Sequence, residues 1–297
     1  MIIWPLKWLS GYGCIHIILA VYIMISALTF YSNVHMNNMD ENNRSFAFDV
    51  DYVLMRINEA FQVAEISKSL KKARDINEAK SISKNEGFTR VPIFNENGRT
   101  KEYYDGRTGN MVPIETDLEI LSDCEGLLKI IPALEDNEFY FVLTGNKISK
   151  IVHFSDLNSP IVSIGIYAQL NYLEISIRDF IRRTIGNDEE TQMSYLEKNL
   201  PKKKFEKIKK QYEDKKDQDA HIDPVNELYI YQELLLARHL NLTEIDDKTI
   251  DDFTKMRNSL AHSSDIVKNH EDVKRWNNFL RESMKIIQNI RAKTYGT

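Results

Sequence analysis

Apolar residues recur at helical spacing over Ile166 to Ile185, Glu227 to Leu240, Ile250 to Leu260 and Val273 to Ile290, which predicts a helical C-terminal half. The first of these extends back to Ile161, because the joint Asn158-Ser159-Pro160-Ile161 marks the point where proline can open a helix but not lie within one. Upstream the pattern changes. Ile76 to Asn85 reads as helix, Thr89 to Phe94 as a short strand and Asn95 to Gly98 as a turn; later come Phe139 to Leu143, a Gly145-Asn146 turn and Ile148 to His153. Two similar halves result, Gly87 to Phe94 leading to Asn97-Gly98, and Phe139 to Leu143 leading to Gly145 through Ile148. The first forty residues differ again. No Asp, Glu, Lys or Arg occurs between Trp8 and Met39, and Cys14 to Tyr31 is almost wholly apolar, a length of about 18 to 20 residues that suffices for one membrane span.

These patterns divide the chain into an apolar segment (1–38), a lead-in (39–58), a mixed region (59–158) and a helical region (159–297). The expected fold class is an α+β domain followed by an all-α bundle, with a single N-terminal transmembrane helix if residues 1–35 are genuine. Lys7 and Arg44 flank the apolar segment almost evenly, so charge gives no orientation. Met36 and Met39 both precede the polar sequence, so the segment is either a membrane anchor or a translated leader before the true start. The first reading implies single-pass membrane anchoring and the second a cytoplasmic location.

Composition is that of a globular protein, with 42% hydrophobic and 28% charged residues. Cys14 and Cys124 are the only cysteines, too few and too far apart for a disulfide framework or a zinc site. The net charge of −5 is uneven: Lys7 alone in 1–38, 15 basic and 21 acidic side chains in 39–160, and 23 of each in 161–297. Bulk charge therefore provides no nucleic-acid affinity, and any must come from a local patch. The candidate is Lys202, Lys203, Lys204, Lys207, Lys209 and Lys210, read either as the solvated face of a surface helix, given Glu206, Glu213 and Asp214 nearby, or as an RNA contact.

The most specific chemistry is Arg257-Asn258-Ser259-Leu260-Ala261-His262. On a helix the Arg and His lie about 140° apart, a gap that a long Arg can bridge, and Asn258 is four residues from His262 on nearly the same side. A guanidinium binds phosphate in bidentate fashion, and an imidazole moves protons near neutral pH. Together they suit cleavage of an RNA phosphodiester, in which the 2′-hydroxyl loses a proton and charge grows on the phosphorus oxygens. The structural alternative is an Arg and a His that complement a helix terminus. The motif resembles the signature of HEPN domains, whose active members are metal-independent ribonucleases that act as homodimers. By that resemblance Arg257 holds the scissile phosphate, His262 transfers the proton, Asn258 fixes their geometry, and an acidic residue of an early helix orients the pair. Glu174 is the candidate for the last role; its other reading is an ion pair with Arg178, four residues on.

Residues 59–158 resemble a pair of cystathionine-beta-synthase-type modules, a CBS pair or Bateman module. In that family a Gly-hydrophobic-hydrophobic-Thr-x-x-Asp motif meets the phosphate and ribose of an adenine nucleotide. Lys150, Ile151, Val152, His153, Phe154, Ser155 and Asp156 occupy the seven places. Asp156 keeps the family chemistry, His153 replaces the Thr and can donate to phosphate, and Lys150 replaces the Gly. In the first half Tyr103-Tyr104-Asp105-Gly106 departs from the motif. The resemblance implies an adenine nucleotide effector at Asp156, His153 and Ser155, or a degenerate pair used for dimer contacts.

A sensor of this kind ahead of a HEPN domain implies a ligand-regulated endoribonuclease of a bacterial stress or antiphage defence system, toxic when active, with RNA as substrate and no required cofactor. The alternative is a non-catalytic nucleotide-sensing or partner-binding adaptor built on an inactive HEPN dimer. No phosphate-cradling glycine loop, no recognisable catalytic carboxylate pair and no HExxH is present, so phosphotransferase and protease readings gain no support. His221 and His239 read as surface or packing residues.

Overall fold

In the computed structural model, which describes Glu59 and residues 61–115, 119–216, 222–261 and 266–295, the first helix lying wholly within the described residues, α1, spans Ile76–Glu86. The Asp75 carboxylate caps it by accepting from the backbone N–H of Asn77 and Glu78, and Gly87 closes it at φ 75°, the left-handed conformation that glycine adopts without a Cβ clash. An antiparallel meander follows, β2 (Arg90–Ile93), β3 (Glu102–Asp105) and β4 (Asn110–Pro113). Pro92 is tolerated because β2 is the edge strand of that sheet. Successive β3 side chains face opposite ways. Tyr104 packs with Ala73, Ala79 and Val91, while Tyr103 packs against Phe139 and Phe141.

A second sheet has the order β1-β7-β6-β5, with β1 at Lys68–Ser69, β5 at Ile120–Ser122, β6 at Phe139–Thr144 and β7 at Lys147–His153. Helix α2 (Leu127–Asp136) connects the parallel pair β5 and β6, and the Gly145-Asn146 turn joins antiparallel β6 and β7. The two halves seen in the sequence thus become two helix-plus-hairpin units, α1-β2-β3 and α2-β6-β7. Rings of Tyr103, Phe139 and Phe141 meet edge to face at 5.3 to 5.8 Å between them, an arrangement favoured by the aromatic quadrupole.

The C-terminal region is helical: α3 (Pro160–Ile185), α4 (Glu189–Asn199), α5 (Lys202–Lys216), α6 (Ile230–His239), α7 (Asp247–Ala261) and α8 (His270–Tyr295). Pro160 stands in the first turn of α3 as expected. The helix expected from Glu227 begins instead at Ile230, because Asp223 caps a separate 3-10 turn, Pro224–Glu227, ahead of it. Helix α3 is the centre of the region, packing on α8, α6, α2, α7 and α4. It buries Val162, Ile166, Leu170, Leu173, Ile177 and Ile181, and its buried Gln169 is satisfied by the Leu280 carbonyl and the Ser283 hydroxyl of α8.

The change of architecture at residue 158 is not a gap in packing. Helix α2 lies on both α3 and α8, His270 Nε2 is 2.5 Å from the Glu135 carbonyl, and Asn277 donates to the Glu135 carboxylate. The Asn158 side chain also pairs with both backbone groups of Val267, at 2.6 and 2.8 Å. Among the described residues no helix is long and apolar enough to cross a membrane; the apolar segment Cys14 to Tyr31 lies outside them.

Candidate functional site

Helix α7 starts under an Asp246 cap, whose carboxylate accepts from Thr249 N–H at 2.8 Å. It buries Ile250, Phe253, Met256 and Leu260, and that apolar stripe turns Arg257 and Asn258 away from the core. Arg257 Nε lies 3.8 Å from Glu174 Oε1, and the other Glu174 oxygen lies 3.6 Å from Arg178 Nη2. Glu174 thus lies between Arg178 and Arg257, in long ion pairs rather than hydrogen bonds. Arg178 itself is held firmly, donating from Nε to Glu233 at 2.5 Å and from Nη2 to the Leu228 carbonyl at 3.0 Å.

Glu233 is the residue that the sequence reading passed over. It is fully buried on α6, and its Oε2 has no hydrogen-bond partner. Desolvation pushes its carboxyl up to about 8, against the opposing pull of Arg178. Burial also raises Glu174, with Arg178 and Arg257 acting the other way. Burial thus opposes full ionisation of both acids that face the two arginines. Arg257 is the most exposed of the four side chains, at 31%, so its charge is presented where an anion can reach it. The signal for Glu233 was a single acid inside the apolar run Ile230 to Ala237, a position that requires a buried partner.

Asn258 is exposed and makes no side-chain hydrogen bond among the described residues. His262 lies outside the described residues. The predicted site residues on α3 and α7, Glu174 and Arg257, are thus brought together, with Arg178 and Glu233 behind them.

The three expected ligand residues of the mixed region also come together. Asp156 is buried; its Oδ2 accepts from His153 N–H at 2.8 Å and its Oδ1 pairs with Lys68 at 2.5 Å. The His153 ring accepts from Ser155 N–H at 3.2 Å and lies 3.0 Å from the Ser155 hydroxyl. These bonds cap the 3-10 turn Phe154–Asn158. Burial holds the His153 pKa below its ordinary value. Arg90, Asp105, Arg107 and Glu138 form a charged cluster facing the same strand end, with Arg107 2.6 Å from Glu138 and Arg90 3.0 Å from Asp105. The sequence reading did not select these four, because their pairings span 15 and 31 positions. Among the described residues no group of three or more His, Cys, Asp or Glu side chains is placed to hold a metal ion.

No protein-family model, no curated protein and no solved structure matches this chain.

Proposed function

We propose that the chain is a ligand-regulated, HEPN-type endoribonuclease that works as a homodimer. Arg257 binds the scissile phosphate, His262 transfers the proton of the attacking 2′-hydroxyl, and Glu174 positions Arg257. The observation that carries this reading is the Arg257-Glu174-Arg178-Glu233 cluster: a partly exposed guanidinium backed by an acid from an early helix and by the buried Arg178–Glu233 pair. Such a preset cation stabilises the charge that develops on phosphorus oxygens. Self-association is supported by α3, which leaves Ile175 51% and Tyr167 42% exposed beside Glu174.

Regulation is supported by position. Asp156, His153 and Ser155 occupy the places of a CBS nucleotide motif, and a ribose bound at Asp156 competes with Lys68 for its carboxylate. Asn158, two residues on, is tied to Val267, five positions beyond His262. A nucleotide that prefers one arrangement of this turn then biases the output region by that preference. Incubating the purified chain with labelled single-stranded RNA, with and without adenine nucleotides, tests the reading. Cleavage that is lost in His262→Ala is expected; RNA left intact under every nucleotide condition overturns it.

A further inference from the structure

The lysine-rich helix α5 offers a second surface. Phe205, Ile208 and Tyr212 turn one side of it inward. At about 100° per residue, Lys203, Lys204, Lys207, Lys210 and Gln211 share one outward flank with a single acid, Asp214, near its C-terminal end, whereas Glu206 and Glu213 lie with Lys202 and Lys209 on the other. The carboxylates of Glu227 and Glu189 pair with Lys215 and Lys216, farther along the helix. Among the described residues, Lys203, Lys204, Lys207 and Lys210 form no ion pair.

Two of these lysines stand over tyrosine rings at the start of α6. Lys207 Nζ is 4.8 Å from the Tyr229 ring centre and Lys204 Nζ is 5.2 Å from that of Tyr231. Gln211 Nε2 donates to the Tyr229 hydroxyl at 2.7 Å and so orients that ring, which is 39% exposed. Ammonium groups beside aromatic faces are what a single-stranded nucleic acid requires: phosphates draw the cations off the rings and the bases stack in their place. The exposed flank carries no large aliphatic or aromatic side chain of α5 itself, so insertion into a lipid surface gains no support. The surface also adjoins the Arg257 cluster, because Arg178 binds the carbonyl of Leu228, next to Tyr229.

We propose that Lys204, Lys207, Tyr229 and Tyr231 form a docking surface for single-stranded RNA leading to Arg257. Its assignment to RNA rather than DNA rests on the ribonuclease reading, which needs a 2′-hydroxyl.

Fluorescence anisotropy of a short labelled single-stranded RNA with the full chain bearing His262→Ala tests this. Tyr229→Leu with Tyr231→Leu weakens binding about tenfold or more with the salt dependence unchanged. Lys204→Ala with Lys207→Ala lowers the slope of log affinity against log salt by about 1.4. Lys202→Ala with Lys209→Ala, on the other flank, leaves affinity within about twofold. The proposal is overturned if the tyrosine pair has no effect, or if the two lysine pairs act equally. It is also overturned if DNA of the same sequence binds more tightly, or if phosphatidylserine vesicles rather than RNA require Lys204 and Lys207. RNA that binds here but is never cut by the unsubstituted chain supports the docking surface and removes the ribonuclease reading. RNA that is cut while every surface variant binds normally does the reverse.

Discussion

Glu233 sets the electrostatics of the Arg257 cluster, because its burial outweighs the pull of Arg178 and keeps a proton on the folded chain up to about pH 8. The unfolded chain gives up that proton near the ordinary glutamate value of 4.5. Between those values the folded state binds more protons than the unfolded one, so this group's contribution to stability is full in acid and declines as pH rises. Relative to Glu233→Gln, which cannot ionise, the unsubstituted chain is expected to lose about 10 °C in Tm between about pH 5 and 8. A difference independent of pH, measured by differential scanning calorimetry of both proteins, contradicts this account of Glu233. At this scale the sequence was only half legible. Arg257 and Glu174 could be paired through a motif, but Glu233 joins them through α3-to-α6 packing, and no local spacing records that contact.

Among the elements, α3 does the most, since one side of it fills the core and the other carries Glu174 beside the exposed Ile175 and Tyr167. If that side is the dimer face, Ile175→Asp sets two like charges across a twofold contact that apolar burial otherwise holds together. The expected result in light scattering is a monomer with unchanged helical circular dichroism; a persistent dimer contradicts the use of this face. Helices α1, α3, α7 and α8 were readable because each has one covered side and clear terminal signals, such as Asp75 and Gly87 on α1. Helix α2 was not. Its run Leu127 to Leu134 is apolar nearly throughout, since its buried residues contact more than one neighbour, and Pro132 interrupts the helical signal. Helix α4 failed to register for the opposite reason, burying only Gln192 and Leu196.

Across the whole molecule, a mixed α/β region and a helical region meet through α2, α3 and α8, with Asn158 clasping Val267. Such continuous packing predicts one cooperative thermal transition for the described body, with calorimetric and van't Hoff enthalpies in agreement; two resolved transitions, one for each region, contradict it. The order of the regions was legible from the shift between strand-like and helical spacing near Pro160. Their contact was not, because Glu135, Asn158, Val267 and Asn277 are separated by more than a hundred positions in their pairings and carry no periodic signal. Under the proposed function, the region carrying Asp156 governs phosphate cleavage at Arg257 through this packing. The most direct measurement is end-group analysis of labelled single-stranded RNA after incubation with the purified chain in excess EDTA. Fragments ending in 2′,3′-cyclic phosphate and 5′-hydroxyl are expected, reduced at least about a hundredfold in both Arg257→Ala and His262→Ala. Intact RNA, or cleavage that survives either substitution, contradicts the account.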